Sequence, residues 1–195
     1  MLLPRWQTGC FVNESENCME KRLIIFIDGG DTLIEEGSLD RDEDVVIAAA
    51  PIPGSLETLR ELKNSGYKIC LVDNVRRQSV QNVFTHNGYI DCFDSISTLD
   101  EAGVGKPAHA IFDDAMKQNG LTDSDRKRIV MVGNSCRNDI AGANRYGITS
   151  VLMDWSPHHS MTPHNADEVP DFIIHELTEL PGLLERLESK GYEKI

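Results

Sequence analysis

The sequence predicts one α/β domain, a central parallel sheet with helices packed on both faces. Three observations point there. Short continuous apolar runs recur along the chain and alternate with stretches of helical periodicity. The runs lack the in–out alternation of a half-solvated sheet, as expected of strands buried on both faces. The 195 residues contain no internal repeat and suit one domain. Strands alternating with helices make βαβ units, which close into three α/β/α layers.

The strands read as residues 23–27 (LIIFI), 69–72, 129–132, 150–153 (SVLM) and 172–174, with 94–98 as a further candidate. Residues 55–63 place Leu56, Leu59 and Leu62 at three-residue intervals after Pro53-Gly54-Ser55 and before Gly66, a helix with start and stop signals. Further helices are expected at 76–86, at 107–118 with Pro107 in the first turn, at 139–146 ended by Gly147, and at 178–188. Residues 1–20 read as a polar leader and 21–195 as the domain.

Acidic residues outnumber Lys and Arg by 32 to 19, a formal net charge of −13. That balance excludes a protein that tracks duplex nucleic acid or an anionic membrane surface. The start has no signal-peptide pattern and no window reaches transmembrane length. The five cysteines form no CxxC pair and show no zinc spacing, which suits a reducing, cytoplasmic setting.

In a parallel sheet, ligands bind beyond the carboxyl ends of the strands. After the first strand comes Asp28-Gly29-Gly30-Asp31-Thr32, after the second Asp73-Asn74, and after the run at 129–132 comes Gly133-Asn134 and then Asp139. Lys106 precedes the third helix. Asp and Asn also favour turns at strand ends, but here carboxylates and a lysine from distant segments converge on one rim.

These words, IIFIDGGDTL, KICLVDN, GVGKPAHAIF and VMVGNSCRNDIAGA, resemble in order the four motifs of the haloacid dehalogenase (HAD) superfamily, over about residues 22–188. The resemblance implies a Rossmann-like fold and a Mg2+-dependent phosphatase that forms an aspartyl-phosphate on Asp28. It implies Asp28, Lys106 and Asp73 at the catalytic positions. It places Gly29, Gly30, Asn74 and Lys106 around phosphate. It makes Asp28, the Gly30 carbonyl, Asn134 and Asp139 the metal ligands. A divalent cation with oxygen ligands would let two anions approach, and Lys106 would offset charge on the phosphoryl oxygens.

Three positions depart from the family pattern. Gly30 stands where the second Asp of DxDxT acts as acid and base, a loss of order 10²–10⁴ in rate. Asp31, one residue on, should point elsewhere. Asp73 replaces a phosphate-binding Ser or Thr; it either supplies the missing proton or caps the following helix. Asn134 removes one charge from the metal site. These losses leave open a second reading, a HAD-fold protein that binds metal or phosphate without efficient turnover. A metal-free dehalogenase is a poorer fit, because family dehalogenases carry a cap.

Only residues 34–51 lie between the first motif and the segment PIPGSLETL, so no large cap domain is expected and the site should be open. The resemblance implies that such members act on large substrates or borrow a neighbouring subunit as cover; a phosphorylated small molecule or macromolecule and a homodimer are the expected partners. The acidic stretch 35–44 (EEGSLDRDED) reads as a solvated loop rather than a guard at the entrance. Residues 155–167 hold Trp155, His158, His159 and His164, and read as a flexible polar loop rather than a metal site.

Overall fold

The computed structural model describes residues 22–156, 158 and 161–189. The expected leader at residues 1–20, and His159, lie outside the described residues.

Six strands form one parallel sheet: β1 (Ile24–Ile27), β4 (Lys68–Asp73), β5 (Ser95–Thr98), β6 (Ile129–Gly133), β7 (Thr149–Met153) and β8 (Phe172–Ile174), in the order β5-β4-β1-β6-β7-β8. β1 is central, paired through Ile24 with Lys68 on one side and Ile129 on the other. Its four residues are buried. Successive side chains point to opposite faces of a strand, and here they divide between the layers. Ile25 and Ile27 join Leu71, Val132, Val80 and Leu184 on one side. Ile24 and Phe26 join Val72, Met131, Phe112 and Tyr146 on the other. Each fully buried side chain of this size stabilises by roughly 1.5–3 kcal/mol.

The helices bury the stripes their periodicity predicts. They are α1 (Ser55–Asn64), α2 (Arg77–His86), α3 (Leu99–Ala102), α4 (His109–Gln118), α5 (Ala141–Tyr146) and α6 (Leu180–Ser189). α1 turns Thr58, Leu59 and Leu62 inward, and α6 turns in Leu180, Leu183, Leu184 and Leu187. Among the described residues, no helix is long and apolar enough to cross a membrane.

Four expectations need correction. Pro107 lies before α4 rather than in its first turn, behind a cis Lys106–Pro107 peptide. The helix expected from Asp139 begins as a π-turn, Cys136–Ile140, before α5. Residues 177–179 form a 3₁₀ turn ahead of α6. The largest departure is at 35–44, expected as a solvated loop. It forms a 3₁₀ turn, Glu36–Ser38, then a hairpin of β2 (Asp40–Asp42) and β3 (Val45–Ala48). The hairpin is tied to α2: Val46 N–H donates to Ser79 Oγ at 3.0 Å, and Asn82 Nδ2 donates to the Val46 carbonyl at 3.0 Å. The apolar VVIA run supplied the signal, but the acidic neighbours masked it.

The buried Tyr89 hydroxyl lies 2.5 Å from Ser55 Oγ and donates to the Leu33 carbonyl at 3.1 Å. It joins the loop after β1 to the start of α1. Tyr89→Phe is expected to lower unfolding free energy by about 1–2 kcal/mol, as a shift of the urea midpoint with unchanged slope.

Candidate active site

β1 ends at Ile27, and the Asp28 N–H still donates to the Val132 carbonyl at 2.9 Å. Asp28 therefore stands at the carboxyl edge of the sheet, fixed by the last ladder bond. The chain then turns back on itself. The N–H groups of Leu33 and Ile34 both donate to the Gly29 carbonyl, at 2.8 and 3.1 Å. Thr32 Oγ1 reaches Asp28 Oδ2 at 3.4 Å.

Lys106 comes to the same point from the loop before α4. Its side chain is almost wholly buried, and its ammonium donates to Asp28 Oδ1 and to the Val72 carbonyl, each at 2.5 Å. Asp139 Oδ1 lies 2.8 Å away on its third side. Asn74, expected around phosphate, holds Lys106 instead. Its Oδ1 accepts from the Lys106 N–H at 2.7 Å and its Nδ2 donates to the Lys106 carbonyl at 3.0 Å. Gly105 permits this approach, because a Cβ there would lie 2.4 Å from the Asn74 oxygen.

Asp139 sits in the π-turn, where Oδ2 accepts from the Ser135 N–H at 3.0 Å. Gly133 makes room for it; a Cβ at that position would lie 2.3 Å from the Asp139 carboxyl carbon. Asn134 is buried beside it, and its Nδ2 finds no acceptor. Asp73 ends β4, again at the sheet edge, and packs against Gly29, where a Cβ would come within 2.2 Å of Oδ2. It is not a helix cap: α2 starts at Arg77, with Arg76 before it and no side-chain cap.

Asp28, Gly30, Asp73, Asn74, Lys106, Asn134 and Asp139 line one cleft of about 190 Å³. Four carboxylates (Asp28, Glu36, Asp73 and Asp139) against Lys106 and Arg41 leave two negative charges there when all are ionised. Burial, then Asp139 and Asp73, raise the Asp28 carboxyl well above the usual range, against the pull of Lys106. Burial raises Asp73 to about 6, with Lys106 opposing. Burial works against the charge of Lys106, but Asp139, Asp28 and Asp73 outweigh it and hold the ammonium more firmly than usual. A divalent cation fits this donor set. It would cancel the excess charge and give work to the idle Asn134 amide, whose oxygen and nitrogen exchange places by a flip.

Asp31 turns away, as expected, but through a left-handed backbone at φ 45° rather than an extended one. Its carboxylate accepts from the Glu36 N–H at 2.8 Å, from the Ser156 hydroxyl and from His158, whose Nδ1 lies 2.6 Å away. Trp155 Nε1 donates to the Asp31 carbonyl at 2.6 Å. The loop expected to be flexible is thus anchored at its first residues. Ligand atoms of Asp31, Glu36 and His158 come within 4.8 Å of one another, but the Asp31 oxygens already serve protein donors. His164 pairs with Glu168 at 3.2 Å, and the two line a neighbouring pocket that shares Lys106, Ser135 and Asn138 with this cleft. Glu36 and Arg41, both within the stretch taken for a solvated loop, line the cleft. Sequence reasoning missed them because a short insert carries no motif.

The raised Asp73 carboxyl fixes a sign. Its folded-state value near 6 exceeds its ordinary 3.8, so its contribution to stability is whole below pH 4 and lost as pH rises through about 6. With metal chelated, the stability of Asp73→Asn relative to wild type is expected to grow by on the order of 2 kcal/mol between pH 4 and pH 8. Urea unfolding at both pH values measures it, and a constant difference would contradict the assignment.

The pattern of the haloacid dehalogenase-like hydrolases matches residues 41–153. A glyceraldehyde 3-phosphate phosphatase of Methanopyrus kandleri is 31% identical over 137 residues, 70% of this chain and 58% of that protein. An (S)-2-haloacid dehalogenase of a Pseudomonas species is 29% identical over 148 residues, 76% of this chain and 61% of that protein. The chain thus spans somewhat over half the length of these relatives. The solved structure of a HAD phosphatase from Thermococcus onnurineus superposes with TM-score 0.69 over 89% of this chain and all of that one, at 20% identity, a likeness of fold. The matched pattern begins after the first loop, so it is the sheet order that brings Asp28 to the segments within it. With the pattern covering more than half of the residues and the sheet joining its parts at one rim, the chain belongs to the haloacid dehalogenase-like hydrolases.

Proposed function

We propose that the protein is a Mg2+-dependent phosphatase acting through an aspartyl-phosphate on Asp28. The observation that supports it best is the excess of buried carboxylate around one lysine at the floor of the cleft. Asp28 is held by Lys106 on one oxygen and faces Thr32 with the other, so its plane is set before substrate arrives. It attacks phosphorus, the leaving oxygen departs, and water then hydrolyses the acyl phosphate. Lys106 stays charged throughout and offsets charge on the phosphoryl oxygens. Asn74 positions Lys106 and does not itself meet phosphate. Gly29 and Gly30 shape the loop that faces it. Asp28 and Asp139, with Asn134, would hold Mg2+, which supplies electrostatic relief between the two approaching anions.

A metal-free dehalogenase reading, which the Pseudomonas relative raises, leaves the excess charge unexplained. Arg41 on the hairpin brings positive charge to the cleft wall, which favours an anionic phosphoester. The reading as a binding protein without turnover draws on Gly30 and on Asn134 in place of a carboxylate.

Release of inorganic phosphate from a panel of phosphoesters tests the proposal. Mg2+ is expected to support release and EDTA to stop it, and Asp28→Asn is expected to reduce it by at least about 10³-fold. Release that survives Asp28→Asn would sink the nucleophile. No release from folded protein that Mg2+ still stabilises would support the binding reading.

A further inference from the structure

Gly30 lacks a side chain where the resembling phosphatases keep an acid, and the structure shows what fills that space. A Cβ at position 30 would lie 2.4 Å from Glu36 Oε1 and 3.1 Å from Glu36 Cγ. Non-bonded atoms do not approach so closely. The Glu36 carboxylate thus lies where a residue-30 side chain would begin, and it lines the cleft with Asp28 and Lys106. It is also held there. The Glu36 N–H donates to Asp31 Oδ1 at 2.8 Å, and Asp31 is anchored in turn by Trp155, Ser156 and His158. The two nearer acids are placed differently. Asp31 does not line the cleft, and Asp73 packs on Gly29, not Gly30.

We propose that Glu36 is the acid and base of the reaction, supplied from the insert instead of from the second position of the DGG motif. The proposal rests on the phosphatase reading. As Asp28 bonds to phosphorus, the bond from phosphorus to the ester oxygen breaks, and that oxygen keeps the electron pair and takes the proton of the Glu36 carboxyl. The Glu36 carboxylate then takes a proton from water as its oxygen attacks the aspartyl-phosphate. The bond from phosphorus to Asp28 breaks, inorganic phosphate leaves, and Glu36 is protonated again.

The test compares phenyl phosphate, whose leaving group needs a proton, with 2,4-dinitrophenyl phosphate, whose leaving group does not. The measure is the ratio of their kcat/KM values, which reports the first transfer alone. In Glu36→Gln, with Mg2+ present, the ratio is expected to shift about 100-fold against phenyl phosphate. Gly30→Asp in a Glu36→Ala background has room for the new carboxylate and is expected to bring the ratio back toward wild type. A ratio in Glu36→Gln equal to that of wild type overturns the proposal, as does the selective loss appearing in Asp73→Asn instead. Turnover of dinitrophenyl phosphate controls for folding of each variant. If that turnover depends on Asp28 while the ratio does not move, the phosphatase reading stands and Glu36 alone falls. If wild type releases no phosphate from either ester by way of Asp28, both fall together.

Discussion

A lysine ammonium taken out of water needs anions close by, and Lys106 has them: Asp28 Oδ1 and the Val72 carbonyl at 2.5 Å, and Asp139 Oδ1 at 2.8 Å. The three groups come from three sheet-edge segments, so this one charge ties together the ends of β1, β4 and β6. Such a cluster adds little net stability, because desolvation offsets most of the attraction, but removal of one member leaves the others uncompensated. The surroundings follow from it. Asn74 clamps the Lys106 backbone, Gly105 admits Asn74, and Gly133 admits Asp139.

The same tight packing explains the two glycines after Asp28. Asp73 lies against Gly29 and Glu36 against Gly30, each where a Cβ would overlap a carboxylate oxygen. A substitution at Gly30 that looks like loss of a catalytic group is, in space, an exchange of one carboxylate source for another. Asp31 serves the arrangement from outside the cleft. Its left-handed turn directs the carboxylate to the start of the residue 36 turn and to the loop after β7. Glu36 is thereby held through its backbone, as a proton donor placed from a short insert requires.

The insert between β1 and α1 carries a hairpin. Val46 on that hairpin and Val83 and Phe84 on α2 form an apolar wall of the cleft, while Arg41 adds a charge. A wall of this size shields one side of the site.

Fold class was legible in the sequence because a strand buried on both faces must be continuously apolar and an amphipathic helix must repeat every three to four residues. IIFI, LVD and IVMVG, and the leucines of α1 and α6, say as much without tertiary information. Asp28 and Asp139 were legible too, since a parallel sheet places the residues that follow its strands on one rim, and Lys106 through the resemblance of GVGKPAHAIF to a family motif. What only the tertiary structure decided were contacts with no fixed spacing: the hairpin at 40–48, the commitment of Asn74 to Lys106, the turning of Asp31 toward Ser156 and His158, and the seating of Glu36 on Gly30. Periodicity encodes which face a residue presents to its own element. Which side chain fills a gap beside a glycine depends on packing between elements distant in the chain, and no local pattern records that.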